Sequence, residues 1–300
     1  MPRTVAFLTC RSAPGFARDD AHAVAALGRL GVEVVAVPWE DARDGAPADA
    51  LLVTRSCWNY HLHAEAFARQ IDALTRQGRA LVNAAPVVLE NLDKRYLAAL
   101  EGRGVPIPPT LWLERGARVS LAEILERAGI DEAVLKPTVS LSAYRTFRVR
   151  RADATAAQPE LDAILEASGA MVQAFVPEIV TGGELSLVFF DGRYSHAVRK
   201  RPRPGDFRVQ DDHGGTHAPA SPGAASVLQA EAIVATATPA PTFARVDGVE
   251  VGGRLVLMEL ELIDPVLFLG DAPGAAERFA AALVGAMDRS RRPAVASPSG

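Results

Sequence analysis

Short apolar runs alternate with a helical pattern along the first third of the chain. The runs at 4–9, 32–37 and 50–54 have the length and composition of buried strands. Between the first two, residues 19–30 carry apolar side chains at helical spacing and end at Gly31, a common helix stop. This alternation of strand and helix predicts a doubly wound α/β domain with a parallel sheet.

The pattern changes after the proline-rich stretch at 105–110, where strands begin to follow one another as hairpins. The clearest case is Asp191-Gly192, which separates two alternating runs and is a strong hairpin signal. We therefore place a domain boundary near residues 85–110. The α/β domain is predicted at 1–90 and a disordered tail at 291–300.

The stretch 254–265 places two carboxylates within an otherwise apolar strand. Strict alternation puts Leu257, Glu259, Glu261 and Ile263 on one face, with the two carboxylates roughly 6–7 Å apart. Like charges on an apolar face are costly unless a cation neutralises them. Oxygen ligands without nearby Cys or His suit Mg²⁺, with Mn²⁺ as the alternative. An ordinary solvated strand face is the competing interpretation.

A loop rich in polar and aromatic side chains follows the third predicted strand, at the edge of the sheet where doubly wound domains bind ligands. Its arginine, Arg55, could clamp a substrate carboxylate through two hydrogen bonds. Alternatively, the loop caps the next helix, with Asn59 as the cap and Trp58 in the core. The remaining candidates for substrate contact in this loop are Ser56, Trp58, Asn59, Tyr60 and His61.

Lys136 ends a predicted strand and is followed by a loop of small and hydroxyl-bearing residues at 138–143. The lysine could bind phosphate, while backbone N–H groups and the hydroxyls of Ser140 and Ser142 surround it. An ordinary surface lysine is the alternative. The sequence contains neither a Walker A pattern nor a G-x-G-x-x-G, so those two nucleotide-binding routes are not supported.

A basic run at 199–203 leads into a glycine- and proline-rich loop that reaches 215. Such a run is commonly a solvated charge cluster. Next to a pair of metal-binding carboxylates, however, a cationic loop suits a transferring phosphoryl group.

Composition limits the classes of partner. The chain has 300 residues, a net charge of −4 and a pI near 5.9, which gives no reason to expect nucleic acid. The two cysteines are far apart and are expected to be reduced thiols of a cytoplasmic protein. Neither a signal peptide nor a membrane-length apolar run is expected. The expected partner is a small amino-acid-like substrate, and a homo-oligomer is compatible with the sequence.

Taken in order, these motifs resemble the ATP-grasp superfamily, nearest to its glutathione-synthetase-like and RimK-like members. The resemblance covers about residues 85–290 and implies a pre-ATP-grasp domain followed by two α+β subdomains, at 91–170 and 171–290, that sandwich ATP. The motifs that carry it are Asn91-x-Asp93-Lys94, 134–137, 138–143, 173–176, Glu184, 199–215, Arg245-x-Asp247 and Glu259-Leu-Glu261.

The resemblance implies roles for the nucleotide-binding residues. Lys94 and Lys136 correspond to lysines that contact phosphate. Glu184 corresponds to the acceptor of the ribose hydroxyls, with Glu178 as a second candidate. The residues that correspond to the adenine hinge are Gln173, Ala174, Phe175 and Val176.

The resemblance also implies the reacting groups. Arg199 and Lys200, together with Arg245, correspond to cations that contact the γ-phosphoryl group and the acyl phosphate. The residues that correspond to magnesium ligands are Asp247, Glu259 and Glu261. Two departures stand out: Glu261 replaces an asparagine that is usual in the family, and the loop after Lys136 lacks the family's glycines.

Within the superfamily, the loop 55–61 and the stretch 259–265 most resemble the D-cycloserine synthetases, which are O-ureido-serine cyclo-ligases. This resemblance implies an ADP-forming C–N ligase of antibiotic biosynthesis that closes a ring through an acyl phosphate. Two alternatives stay open. One is an intermolecular amino-acid ligase of the dipeptide or glutathione kind, and the other is a nucleotide-binding sensor or scaffold with a degenerate site.

Overall fold

The computed structural model describes residues 3–291, which form three β-sheets with helices packed against them. The predicted disordered tail lies outside the described residues from position 292 onward. Within residues 3–291, no helix combines the length and the hydropathy that a membrane crossing requires.

The N-terminal unit is the predicted doubly wound α/β domain. Its four strands are parallel in the order β2-β1-β3-β4, and their bounds are β1 (Arg3–Thr9), β2 (Val32–Pro38), β3 (Leu51–Thr54) and β4 (Leu81–Val82). The helices of this part of the chain are α1 (Asp20–Arg29), α2 (Ala42–Gly45), α3 (Ala64–Arg76), α4 (Ala85–Glu90) and α5 (Tyr96–Gly102). The parallel order places the carboxyl ends of β1 and β3 side by side.

The middle unit is an antiparallel sheet in the order β5-β8-β6-β7. Its strands are β5 (Thr110–Leu113), β6 (Glu132–Pro137), β7 (Phe147–Arg150) and β8 (Ala170–Ala174). Two helices cover it, α6 (Leu121–Ala128) and α7 (Ala154–Ala167). Ser120 caps α6 by accepting from the N–H of Glu123. The sequence pattern did not predict β5 or α7, and Pro159 within α7 hides the helical signal.

The third unit is an antiparallel sheet in the order β11-β10-β9-β12-β13. Its strands are β9 (Glu184–Phe190), β10 (Arg193–Arg201), β11 (Thr216–Ala220), β12 (Phe243–Val251) and β13 (Arg254–Glu261). Its helices are α8 (Glu178–Thr181), α9 (Ala224–Val234) and α10 (Ala275–Ser290). Asp191 and Gly192 both have positive φ, as the predicted two-residue hairpin requires.

One predicted boundary needs correction. The division at 170/171 assigned the run that contains Gln173 to the third unit, but β8 pairs with β5 and β6 in the middle sheet. The apolar pattern predicts the strand correctly and carries no information about which sheet it joins.

The C-terminal helix returns to the N-terminal unit. Phe279 and Leu283 of α10 share one core cluster with Val5 and Phe7 of β1. Asn83, after β4, adds a buried polar link, because its amide donates to the carbonyls of Phe243 and Leu262, both at 2.9 Å. The first and third units are therefore joined by both apolar and polar contacts.

The strict alternation predicted for β13 is interrupted by a β-bulge. Asp247 pairs with Glu259, and the next residue of β12, Gly248, pairs with Leu257, so Met258 is the extra residue. As a result, Leu257 packs in the core, although alternation placed it on the same face as the two glutamates. Met258, Glu259 and Glu261 all line one cavity.

Candidate active site

A cavity of about 1000 Å³ lies where the middle and third sheets meet the N-terminal unit. Three segments outside the sheets close it: the lid loop (138–146), the loop 206–213, and the segment 264–268 after β13. The cavity has an apolar end and a charged end, and both ends draw residues from two sheets.

The apolar end is lined by side chains suited to a flat ring. Arg148 lies over the ring of Phe175, with 3.7 Å between the guanidinium carbon and the ring centroid. The N–H groups of Ala174 and Phe175 already donate to Pro109 and Glu132. Other residues at this end are Val134, Phe147, Gln173, Val176, Ile179, Phe207 and Met258.

The charged end brings together four cations, which are Lys94, Lys136, Lys200 and Arg245. The ammonium of Lys94 donates to the carbonyl of Ser140 at 2.7 Å and pairs with Glu259 at 2.8 Å. Removal from solvent lowers the pKa of Lys136 to about 8. These four side chains are the groups of this end that can contact the oxygens of a polyphosphate.

Lys200 bridges two carboxylates, Glu184 at 2.5 Å and Asp247 at 3.1 Å. Burial alone would lower the pKa of Lys200, but these two carboxylates outweigh it and the pKa is raised. Arg245 also holds Asp247, at 2.9 Å, and donates to Glu261. A connected network of acids and bases therefore occupies this end of the cavity.

The three predicted metal ligands, Asp247, Glu259 and Glu261, are close neighbours at the charged end. Their oxygen donors suit a hard divalent cation, but each carboxylate is paired with a lysine or arginine of the protein. Burial raises the pKa of Glu261 to about 8 in spite of Arg245. Within residues 3–291, no group of three or more acidic, His or Cys side chains is already arranged around a metal position.

Two residues predicted for the nucleotide and phosphoryl sites lie away from the cavity. Arg199 points to the opposite face of β10 from Lys200, where it donates to Glu250 and to the carbonyl of Gly182, both at 3.0 Å. It does not line the cavity, so its predicted contact with the γ-phosphoryl group is corrected. Glu178 begins α8 outside the cavity lining, which leaves Glu184, in the lining, as the candidate acceptor of the ribose hydroxyls.

The predicted substrate clamp, Arg55, is part of a buried junction and does not face the cavity. Its guanidinium pairs with Asp20 at 2.7 Å, donates to the carbonyl of Pro265 at 2.9 Å, and lies over the rings of Phe243 and Phe279. Only 3% of Arg55 is exposed. The prediction that it clamps the substrate carboxylate is therefore corrected, because its donors are used within the protein.

Most of the rest of the loop 55–61 also packs inward. Ser56 donates to the same carboxylate of Asp20. Asn59 accepts from the indole of Trp39 at 2.6 Å and donates to Glu40 at 2.7 Å, so it is neither a substrate contact nor a helix cap. The ring of Tyr60 is buried against Phe67. Of the predicted substrate residues, only Trp58 and His61 line the cavity.

The lid loop spans the mouth of the cavity. Ser142, Ala143 and Arg145 have positive φ, so the loop reaches a left-handed backbone without glycines. Tyr144 meets the edge of His61 with 5.1 Å between ring centroids, and the ring of His213 donates to the carbonyl of Ser142 at 3.2 Å. The hydroxyl of Ser140 donates to Pro137. The lid loop therefore contacts His61 on one side and His213 of the loop 206–213 on the other.

Several residues that line the cavity have no individual role in the sequence analysis, because their positions depend on loop paths. They are Tyr144, Arg145, Phe207, Arg208, Asp211, Asp212, His213, Asp264, Val266 and Phe268. Residues 207–213 lie within the motif 199–215 and Asp264 lies within the stretch 259–265, whereas Tyr144, Arg145, Val266 and Phe268 have no such signal.

Two antiparallel sheets that enclose a polyphosphate-sized cavity, preceded by a doubly wound domain, define an ATP-grasp ligase. The structure of D-alanine–D-alanine ligase from Bacillus anthracis has this fold, with a TM-score of 0.69, 14% identity, and coverage of 96% of this chain and 98% of that one. The crystal structure of D-cycloserine synthetase DcsG is more similar, with a TM-score of 0.84, 27% identity, and coverage of 96% and 100%.

The sequence comparisons specify the family. The model for the N-terminal domain of D-cycloserine synthetase DcsG matches residues 5–83. Cycloserine biosynthesis protein DcsG of Streptomyces lavendulae is 31% identical over 275 residues, which covers 85% of this chain and 89% of that protein. The chain belongs to the D-cycloserine synthetase (DcsG) family, and the predicted superfamily and its nearest branch are confirmed.

Proposed function

We propose that this protein converts O-ureido-D-serine to D-cycloserine in an ATP-dependent, ADP-forming ring closure. The observation that carries the proposal is one cavity with an aromatic, apolar end and a charged end where Lys94, Lys136, Lys200 and Arg245 converge. The first end suits adenine and the second suits the phosphates and the carboxylate that they activate. The family membership supports the choice of substrate.

The proposed chemistry has two bond-forming steps. A substrate carboxylate oxygen attacks the γ-phosphorus of ATP, and the bond from that phosphorus to the β–γ bridging oxygen breaks to release ADP. The nitrogen bonded to the side-chain oxygen then attacks the acyl carbon, loses its proton, and expels phosphate. Because the cycloserine ring carries no carbamoyl group, hydrolysis must also release that group as carbon dioxide and ammonia.

In this proposal the protein's own cations hold and stabilise the reacting groups. Lys94 and Lys136 bind the phosphates, while Lys200 and Arg245 stabilise the charge on the transferring phosphoryl oxygens. Glu184 accepts from the ribose hydroxyls, and the backbone at Val176 reads the adenine edge. The ring nitrogen is already in the same molecule as the activated carbon, so closure gains from proximity.

A divalent cation, Mg²⁺ or alternatively Mn²⁺, would be held by Asp247, Glu259 and Glu261. When bound it neutralises phosphate charge. The donor set fits such an ion chemically, and binding requires Lys94 and Arg245 to exchange their present carboxylate partners for phosphate.

One assay tests the proposal. The protein is incubated with ATP and Mg²⁺ together with either enantiomer of O-ureido-serine or with pairs of amino acids. Cycloserine, amide products and ADP are measured by mass spectrometry, and nucleotide binding is measured by calorimetry. We expect the ring to form from the D enantiomer with stoichiometric ADP. If pairs of amino acids yield an amide and neither enantiomer yields the ring, the protein is an intermolecular ligase. If nucleotide binds and no ADP forms in any mixture, the protein is a sensor or scaffold.

A further inference from the structure

We infer that the carboxylate of Asp264 forms a subsite for the α-ammonium group of the amino-acid substrate, an inference that rests on the proposed function. Asp264 lines the cavity and is only 4% exposed. Its Oδ2 atom is buried and has no hydrogen-bond partner within the described residues. A buried carboxylate oxygen without a partner is costly, so it indicates a partner that the chain itself does not provide.

The acids at the charged end of the cavity differ from Asp264 in this respect. Glu184, Asp247 and Glu259 each pair with a lysine at 2.5–3.1 Å. The guanidinium that most favours the charged form of Asp264 belongs to Arg55. That guanidinium already binds the carboxylate of Asp20 and the carbonyl of Pro265. Burial raises the pKa of Asp264 to about 7, against the opposing effects of Arg55 and the Cys57 backbone, so its charge is incompletely balanced.

The position of Asp264 is fixed by its neighbours on both sides. Thr54 donates to the carbonyl of Ile263, and Arg55 donates to that of Pro265 at 2.9 Å. Asp264 is therefore held at the carboxyl end of β3, where doubly wound domains bind ligands. Trp58 and His61, which line the cavity, follow the same strand.

The chemistry of this position favours an ammonium group. The carboxylate of Asp264 repels the phosphates of a nucleotide, so a phosphate is not its partner. The adjacent cavity residues Val266 and Phe268 are apolar. The group that binds Asp264 must therefore be a compact donor of hydrogen bonds. An ammonium offers three donors and one positive charge. In an α-amino acid it also lies next to the carboxylate, so anchoring it would orient the carboxylate toward the cations that activate it.

The test compares two substrates in three proteins. The substrates are O-ureido-D-serine and 3-(ureidooxy)propanoate, which lacks only the α-ammonium. The proteins are wild type, Asp264→Asn, which keeps the shape, and Asp191→Asn, which removes the same charge from the exposed hairpin turn. We measure kcat/KM for ADP formation and, by calorimetry with ADP and Mg²⁺, the affinity for both compounds. Unchanged ADP affinity and melting temperature show that Asp264→Asn is folded.

We expect wild type and Asp191→Asn to prefer the amine-bearing compound, and Asp264→Asn to lose roughly 10- to 100-fold of that preference. An unchanged preference in Asp264→Asn overturns the inference and leaves the proposed function intact. A change confined to the Mg²⁺ requirement of Asp264→Asn leads to the same two conclusions. If wild type binds the amine-bearing compound in an Asp264-dependent way without turnover, the proposed function fails and the subsite stands. If wild type binds neither compound, both fail.

Discussion

Lys136 combines a role in phosphate binding with a perturbed protonation equilibrium. Its pKa of about 8 lies below the ordinary lysine value because desolvation opposes the charged form. A nucleotide polyphosphate favours that charged form, so binding raises the pKa and takes up a proton where the free lysine is neutral. Affinity for ADP should therefore fall as pH rises through about 8.

The matched variant is Lys136→Arg, because arginine stays charged throughout this range. Titrations of ADP in the presence of a chelator, from about pH 7 to about pH 9.5, should show a clear loss of affinity in wild type and a smaller one in the variant. Identical pH profiles in the two proteins would show that Lys136 does not contact the phosphates.

The second prediction at the residue scale concerns the carboxylates of Glu259 and Glu261. Glu259→Gln and Glu261→Gln should each lower turnover by at least ~10²-fold, because charge stabilisation by a metal contributes several kcal/mol. Glu250→Gln is the control, since Glu250 pairs with Arg199 outside the cavity. Steady-state rates over a range of Mg²⁺ concentrations check this, and near-normal rates in both site variants would exclude the metal role.

Individual residues show how much of the site the sequence predicts. The ordered motifs predict that Lys94, Lys136 and Glu259 share one site, and the fold brings all three to one cavity. The predictions for Arg55 and Asn59 are wrong because the partners of these residues are remote in sequence. Asp20 lies on α1 and Trp39 follows β2, and only tertiary packing brings them to the loop.

At the scale of elements, strand alternation predicts β13 but not the bulge at Met258. A bulge depends on how two strands pair, and the pattern of one strand does not contain that information. The consequence is functional, because the bulge puts Met258, Glu259 and Glu261 on the cavity while Leu257 and Leu260 stay in the core. The sequence likewise predicts that the lid loop binds phosphate, but it does not predict the contacts of this loop with His61 and His213.

The contact between Tyr144 and His61 supplies a prediction about the lid loop. Tyr144→Ala removes the ring that meets His61, which should open the mouth of the cavity to water. If an acyl phosphate forms, water should then compete with the ring nitrogen, and the ratio of ADP to cycloserine should rise above one. Tyr144→Phe keeps the ring contact and should keep the ratio of the wild type. A ratio that stays at one in Tyr144→Ala would show that the lid contact does not protect the intermediate.

At the scale of the whole molecule, the three units pack against one another. Arg55 stands at one of these junctions: it follows β3, pairs with Asp20 of α1, and donates to Pro265 after β13. The rings of Phe243 on β12 and Phe279 on α10 flank its guanidinium. One side chain therefore connects the N-terminal sheet with both the third sheet and the C-terminal helix.

This position predicts that Arg55 contributes to stability and does not bind substrate. Arg55→Met should lower the free energy of unfolding by about 3–5 kcal/mol, because it leaves the buried carboxylate of Asp20 without its partner. The double variant Arg55→Met with Asp20→Leu removes both charges and should recover much of that loss, since an apolar pair can replace a buried ion pair. Urea unfolding measures both values, and at a temperature where all variants are folded the affinity for ADP should stay close to that of wild type. Unchanged stability in Arg55→Met would show that the pair with Asp20 does not stabilise this junction.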